Sequence, residues 1–199
     1  MTLATAVVVL ATIIAWWSLI PQIRKLLRTA DATGVSITWP VIGLISNAAW
    51  SAYLASQGLW PAVPSTVVMV FFYVAVIRAL RRTGAPLGAA LFRGVLATAL
   101  LTTVFALGSW PILGLVLGWA YVPQLAPAVW AVYRIRRPTG VAVGTWTLIG
   151  VEGALWTLYG ALLDDTPVVV FGGVGIVAAV LVLVRVAATV GLRSQTYEA

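Results

Sequence analysis

The sequence predicts an all-α membrane protein. Seven transmembrane helices are expected, arranged as two parallel copies of a triple-helix bundle with one helix between them, a 3+1+3 repeat. Three observations predict this: the composition is too apolar for a soluble globule, uncharged apolar stretches recur along the whole length, and a Pro-Gln pair occurs twice at corresponding places.

Of 199 residues, 62% are apolar and 9% are charged. Soluble domains carry about 25% charged residues, so there is too little charge to solvate a globule of this size. With no Cys and no His, disulfides, thiolate chemistry and imidazole catalysis or metal ligation are excluded. The net charge of +7 is not a nucleic-acid footprint, because the basic residues sit in short clusters between apolar segments, as cytoplasmic loops do.

Hydropathy places spans near 3–23, 38–57, 61–80, 86–107, 110–133, 143–163 and 167–189. They are too long and too weakly alternating for barrel strands, which leaves helices. The segment at 3–23 has no basic residue before it and no cleavage site, and is read as a retained helix. Arg24, Lys25 and Arg28 lie in the first loop, Arg78, Arg81 and Arg82 in the third, and Arg134, Arg136 and Arg137 in the fifth. The second and fourth loops have no Lys or Arg, and the sixth has Asp164 and Asp165. By the positive-inside rule the odd loops and the C-terminus are cytoplasmic and the N-terminus is outside. Arg93 and Arg185, near the cytoplasmic ends of their spans, are expected to snorkel.

The chain repeats itself. Trp17-Ser-Leu-Ile-Pro-Gln22 corresponds to Trp119-Ala-Tyr-Val-Pro-Gln124. Thr33-Gly34-Val35 corresponds to Thr139-Gly140-Val141. Trp50, Tyr53 and Pro61 then match Trp156, Tyr159 and Pro167 without gaps. The expected division is a first repeat at 1–82, a linker helix at 83–108, a second repeat at 109–192 and a short tail at 193–199. A three-helix unit crosses the membrane an odd number of times, so the linker helix is what lets both repeats point the same way.

Pro21 and Pro123 cannot donate to the carbonyls of Trp17 and Trp119. Each helix is therefore expected to bend there, with Gln22 or Gln124 satisfying freed backbone groups. The pair reads as hinges of a cytoplasmic gate, with a static kink as the alternative. Trp50 and Trp156 lie deep in their spans, where ring stacking on a ligand competes with plain helix packing. Trp39, Trp60, Trp110 and Trp146 lie near span ends and read as interfacial anchors. Asn47 precedes Trp50 on the same helical side, as Glu152 precedes Trp156. Glu152, the one carboxylate well inside a span, should face a cavity or a partner. It could carry a proton, pair with a cation, or sit protonated against a carbonyl or Asn47. Asp164 and Asp165 read as a solvated turn. Gly172, Gly173 and Gly175 read as close helix packing or as room for a ligand. No catalytic constellation is present, so no enzyme is expected.

On Pro21-Gln22, Pro123-Gln124 and the Trp-x-x-Tyr pairs, the chain resembles the PQ-loop superfamily and, within it, the SWEET sugar transporters, over nearly its whole length. The resemblance implies alternating access, a central pocket between two triple-helix bundles, and Pro hinges. It assigns Trp50 and Trp156 to the pocket. The pocket Asn usual in the third helix of each unit falls here at Thr66 and Gly172. The Asp that the superfamily's lysosomal amino-acid exporters carry after the loop Gly is absent from 35–38 and 141–144.

The function expected is a facilitative carrier of a small neutral solute, a sugar first, bound by Trp50, Trp156, Asn47, Thr66, Gly172 and Glu152. The alternatives are a proton-coupled amino-acid or amine carrier using Glu152, and a non-transporting receptor on the same fold. No cofactor and no metal is implied. The partners expected are the lipid bilayer, here a bacterial plasma membrane, and the small-molecule substrate. A homo-oligomer is compatible with the sequence, but one chain suffices for a pocket.

Overall fold

A computed structural model describes residues 2–195, with side chains through residue 189. Among these residues the chain is entirely helical: α1 (Leu3–Ser18), α2 (Ile20–Thr29), α3 (Thr38–Ser56), a 3-10 turn at Trp60–Ala62, α4 (Val63–Arg82), α5 (Gly88–Leu107), α6 (Trp110–Arg134), α7 (Val143–Leu162) and α8 (Thr166–Gln195). As α1 and α2 continue one another, the rods number seven. The expected tail at 193–199 lies outside the described residues, except for the backbone of 193–195.

Five rods, Leu3–Thr29, Trp60–Arg82, Gly88–Leu107, Trp110–Arg134 and Thr166–Thr189, are long and apolar enough to cross a bilayer. The other two helices, α3 and α7, carry Ser46, Asn47 and Ser51, and Thr145, Glu152 and Thr157, which make them less apolar. Large apolar side chains stand exposed on the outside of the rods: Phe92, Val95 and Leu100 on α5, Trp119 and Trp130 on α6, and Val177 and Val184 on α8. With so little charge to solvate it, this surface needs hydrocarbon around it, and the chain is an integral membrane protein.

The first rod runs farther than the apolar stretch implies. It continues to Thr29, so Arg24, Lys25 and Arg28 stand on α2 and not in a loop. The helix stops where Ala30 takes a left-handed conformation and its N–H bonds to the Leu26 carbonyl.

Packing has a simple order. α4 packs on both α1 and α3, and α8 likewise packs on α6 and α7. Across the middle, α1 packs on α7 and α3 on α6, while α5 covers α3 and α6. Two buried clusters result. One, toward the basic loops, includes Leu26, Trp39, Tyr73, Leu125 and Trp146. The other, toward the opposite end, includes Val8, Trp50, Tyr53, Leu117, Trp156 and Tyr159. Each draws on helices from both halves of the chain.

Candidate functional site

Between the two clusters lies a narrow cavity, lined by Asn47 and Trp50 from α3, Thr66 and Met69 from α4, Glu152 and Trp156 from α7, and Phe171 from α8. A second shares Asn47, Met69, Glu152 and Phe171, and reaches toward the basic end at Ser18, Tyr73 and Tyr121. Side chains fill both so closely that only water-sized gaps remain.

Five of the six residues singled out for binding meet here: Trp50, Trp156, Asn47, Thr66 and Glu152. Gly172 does not. Its Cα faces the Gly153 carbonyl and Thr157, and a Cβ would collide with both. The glycine serves the tight packing of α8 on α7, which leaves no room for a ligand. Its neighbour Phe171 enters the cavity instead. The Phe171 ring centroid is 5.4 Å from that of Trp50, 6.3 Å from that of Trp156 and 4.2 Å from that of Tyr121, on which it stacks. The repeat aligns Phe171 with Ser65, a contrast that could have drawn attention to it.

The polar groups of the cavity are largely engaged. Asn47 Nδ2 donates to the Gly43 carbonyl at 2.9 Å. The Thr66 hydroxyl donates to the Val63 carbonyl at 3.0 Å and lies 2.8 Å from Ser51 Oγ. Trp156 Nε1 donates to Glu152 Oε1 at 3.2 Å. No Lys or Arg lines either cavity.

The two Pro-Gln pairs behave differently. The first rod breaks at Leu19, just before Pro21. The Gln22 N–H, freed from the helix, donates to Thr145 Oγ1 at 3.0 Å. Its side chain grips the opposite loop: Nε2 donates to the Gly140 carbonyl at 3.1 Å, and Oε1 accepts from Ala142 N at 3.0 Å. By contrast α6 runs unbroken through Pro123 and Pro127. Gln124 is as buried as Gln22, yet its Nε2 reaches only the Tyr73 hydroxyl, at 3.3 Å. A bend is expected at both pairs, and the first goes further, to a break in the helix at Leu19. The other helix absorbs its prolines without interruption.

Both ends of the cavity are closed. At the basic end the two Thr-Gly-Val loops meet. Gly140 N donates to the Thr33 carbonyl at 3.0 Å, and Lys25 Nζ to the Val141 carbonyl at 2.7 Å. Gly34 sits at φ +82°, and a Cβ there would lie 2.7 Å from Pro138 Cβ. Asp31 accepts from the Thr139 hydroxyl at 2.7 Å and from Thr33 N at 2.9 Å. These two bonds, the Thr139 one above all, hold its carboxyl below the ordinary aspartate range.

Trp39 and Trp146 complete this closure, and here the sequence reading is corrected. They are not interfacial anchors: they are 1% and 2% exposed and stack on each other. A Trp near a span end reads the same whether it faces headgroups or a neighbouring helix, and only the packing of α3 and α7 separates the two. Trp60, at the other end, is 64% exposed. There Tyr53 Oη donates to Asp165 Oδ2 at 3.2 Å. Asp165 also accepts from Val168 N at 3.0 Å and so caps α8, a more specific role than a solvated turn. Arg93 and Arg185 find acceptors in Thr38 Oγ1 at 2.9 Å and the Ile135 carbonyl at 3.0 Å.

Residues 3–63 match the family model of the PQ loop repeat. No curated protein and no solved structure matches the chain. The matched segment begins with the broken α1–α2 rod, contains Pro21-Gln22 and ends just after α3. The likeness shown is of residues 3–63, under a third of the chain, to a PQ loop repeat.

Proposed function

We propose that the chain is a facilitative transporter working by alternating access, with a small solute held between Trp50 and Trp156. The observation that carries the reading is a central cavity lined by α3, α4, α7 and α8 and enclosed between two closures of unlike make. The basic-end closure is rich in hydrogen bonds around Gln22. The opposite one is mostly apolar, with the Tyr53–Asp165 bond at its rim. Closures that differ in strength can open one at a time, as alternating access requires.

In this reading α1–α4 and α6–α8 are two parallel triple-helix bundles joined by α5, as the internal repeat and the packing order suggest. The basic end faces the cytoplasm and the N-terminus lies outside. The break at Leu19 is the hinge of the cytoplasmic gate and α6 is the stiffer partner. The solute enters from one side, is enclosed by both closures, and leaves when the other opens. No energy source is required of a facilitative carrier.

The resemblance to SWEET transporters makes a sugar the first candidate, and indole rings are suited to it. In proteoliposomes, saturable flux of labelled solutes from a panel of sugars, amino acids and amines is expected. Trp156→Ala should remove it. Flux unchanged in that variant would take Trp156 out of the site. Solute binding without exchange across the vesicle would make the protein a receptor.

A further inference from the structure

We infer that the cavity, closed down to water-sized gaps in this state, takes a small organic cation when a closure opens and its lining side chains part: an ammonium group bearing apolar substituents, with Glu152 as its counter-ion. The inference rests on the carrier reading above for the location of the solute, but its chemistry comes from the cavity itself.

Glu152 stands in mid-span, on the wall shared by both cavities, and neither is lined by a Lys or an Arg. The bond it accepts from Trp156 Nε1 comes from a neutral group, which orients a carboxylate without neutralising it. A carboxylate in so apolar a setting calls for a positive charge, and this cavity leaves that charge to the solute.

The rings supply the second half of the recognition. Trp50, Trp156, Phe171 and Tyr121 line the space next to that carboxylate, with the Phe171 ring near both indoles. Aromatic faces carry negative potential, and several rings around one site hold alkylated ammonium groups well. Aromatic rings and a carboxylate thus act on the same charge.

A polyol fits less well. Each of its hydroxyls needs a partner once it leaves water. Asn47 has given one of its two N–H groups to the Gly43 carbonyl and Thr66 its hydroxyl proton to the Val63 carbonyl, which leaves few groups for a ring of hydroxyls, and Gly172 offers nothing. An anionic solute would meet Glu152 as a like charge. A methylated or alkylated ammonium asks for few hydrogen bonds and gains from every wall.

The test uses the full chain in lipid nanodiscs, with tetramethylammonium and choline as probes and glucose as the neutral comparison. Equilibrium dialysis of the radiolabelled compounds reads binding, and proteoliposome exchange reads transport. Saturable binding of at least one cation is expected, about tenfold or more weaker in Glu152→Gln. Trp156→Phe should retain binding that Trp156→Leu weakens. Unliganded melting temperatures show that each variant is folded, and Glu152→Asp, which keeps the charge, should recover part of the affinity. If neither cation binds, or if Glu152→Gln and the parent bind them equally, the inference falls. Glucose exchange without cation binding leaves the carrier reading standing and overturns the cation. Glu152-dependent cation binding without exchange does the reverse.

Discussion

The indoles of Trp39 and Trp146 lie with ring centroids 5.7 Å apart and planes 29° apart, one from the first turn of α3 and one from the first turns of α7. This stack, with the loops beside it, seals the basic end of the cavity. Trp39 Nε1 is buried there without an acceptor, which costs about 1–3 kcal/mol. The closure thus combines a large apolar contact with a local penalty that opening would relieve.

Two substitutions separate these terms. Trp39→Phe removes the unpaired N–H while keeping a ring, and should leave the closed state as stable or more so. Trp146→Leu removes most of the stack and should cost about 2–4 kcal/mol. The chain has no Cys, so a single Ser36→Cys beside the stack reports the difference through its labelling rate. Slow labelling with Trp39→Phe and fast labelling with Trp146→Leu are expected.

The two glutamines should be unequal. Gln22→Leu loses two side-chain bonds to the Gly140–Ala142 loop, worth about 1 kcal/mol each. Opening of the basic end should rise by about tenfold or more. Gln124→Leu loses one long bond to Tyr73 and should change opening by a few-fold at most. The same Ser36→Cys rate measures both, and equal effects would refute the asymmetry of the hinge.

Acid should loosen the loop contact. Because Asp31 is held below its ordinary pKa, by Thr139 first and by Thr33 second, its contribution is fully present above the unfolded aspartate value of about 3.9. It is lost as pH falls through the lowered folded value. Hydrogen exchange in residues 30–35 and 137–141 should accelerate below about pH 4. Asp31→Asn, which cannot ionise, should abolish that dependence.

Restoring an amide at the place where the resemblance calls for Asn should fail. In Gly172→Asn the new Cβ meets the backbone of Gly153 and Thr157, and overpacking of this kind costs about 1–3 kcal/mol. A lower melting temperature with no gain in glucose binding is expected.

These residues also mark how much was legible beforehand. The rods were readable because the bilayer demands long apolar runs, and even their ends agree closely except at α2, where Arg24, Lys25 and Arg28 continue a helix after hydropathy has fallen away, and at α8, which runs on to Gln195. Glu152, Asn47 and the paired Trp50 and Trp156 were conspicuous because polar or repeated aromatic residues deep in a span need a reason. Phe171 was not conspicuous, since a Phe in a membrane helix is ordinary. Trp39 and Trp146 were misread, because burial between helices leaves no mark in sequence. The unequal Pro-Gln pairs lay beyond sequence as well: whether a proline breaks a helix depends on what takes up the freed groups, and Thr145, Gly140 and Ala142 do so for Gln22 from more than a hundred residues away.

Alternating access is tested most directly by two spin-label distances in the otherwise cysteine-free chain, in lipid bilayers. One pair, Arg28→Cys with Arg137→Cys, spans the basic end, and the other, Gln57→Cys with Leu163→Cys, spans the opposite end. All four sites are exposed. Adding Gln22→Leu should lengthen the basic-end distance while the opposite end stays short. Ends that widen together, or distances that Gln22→Leu leaves unchanged at both ends, would contradict two gates opening in turn.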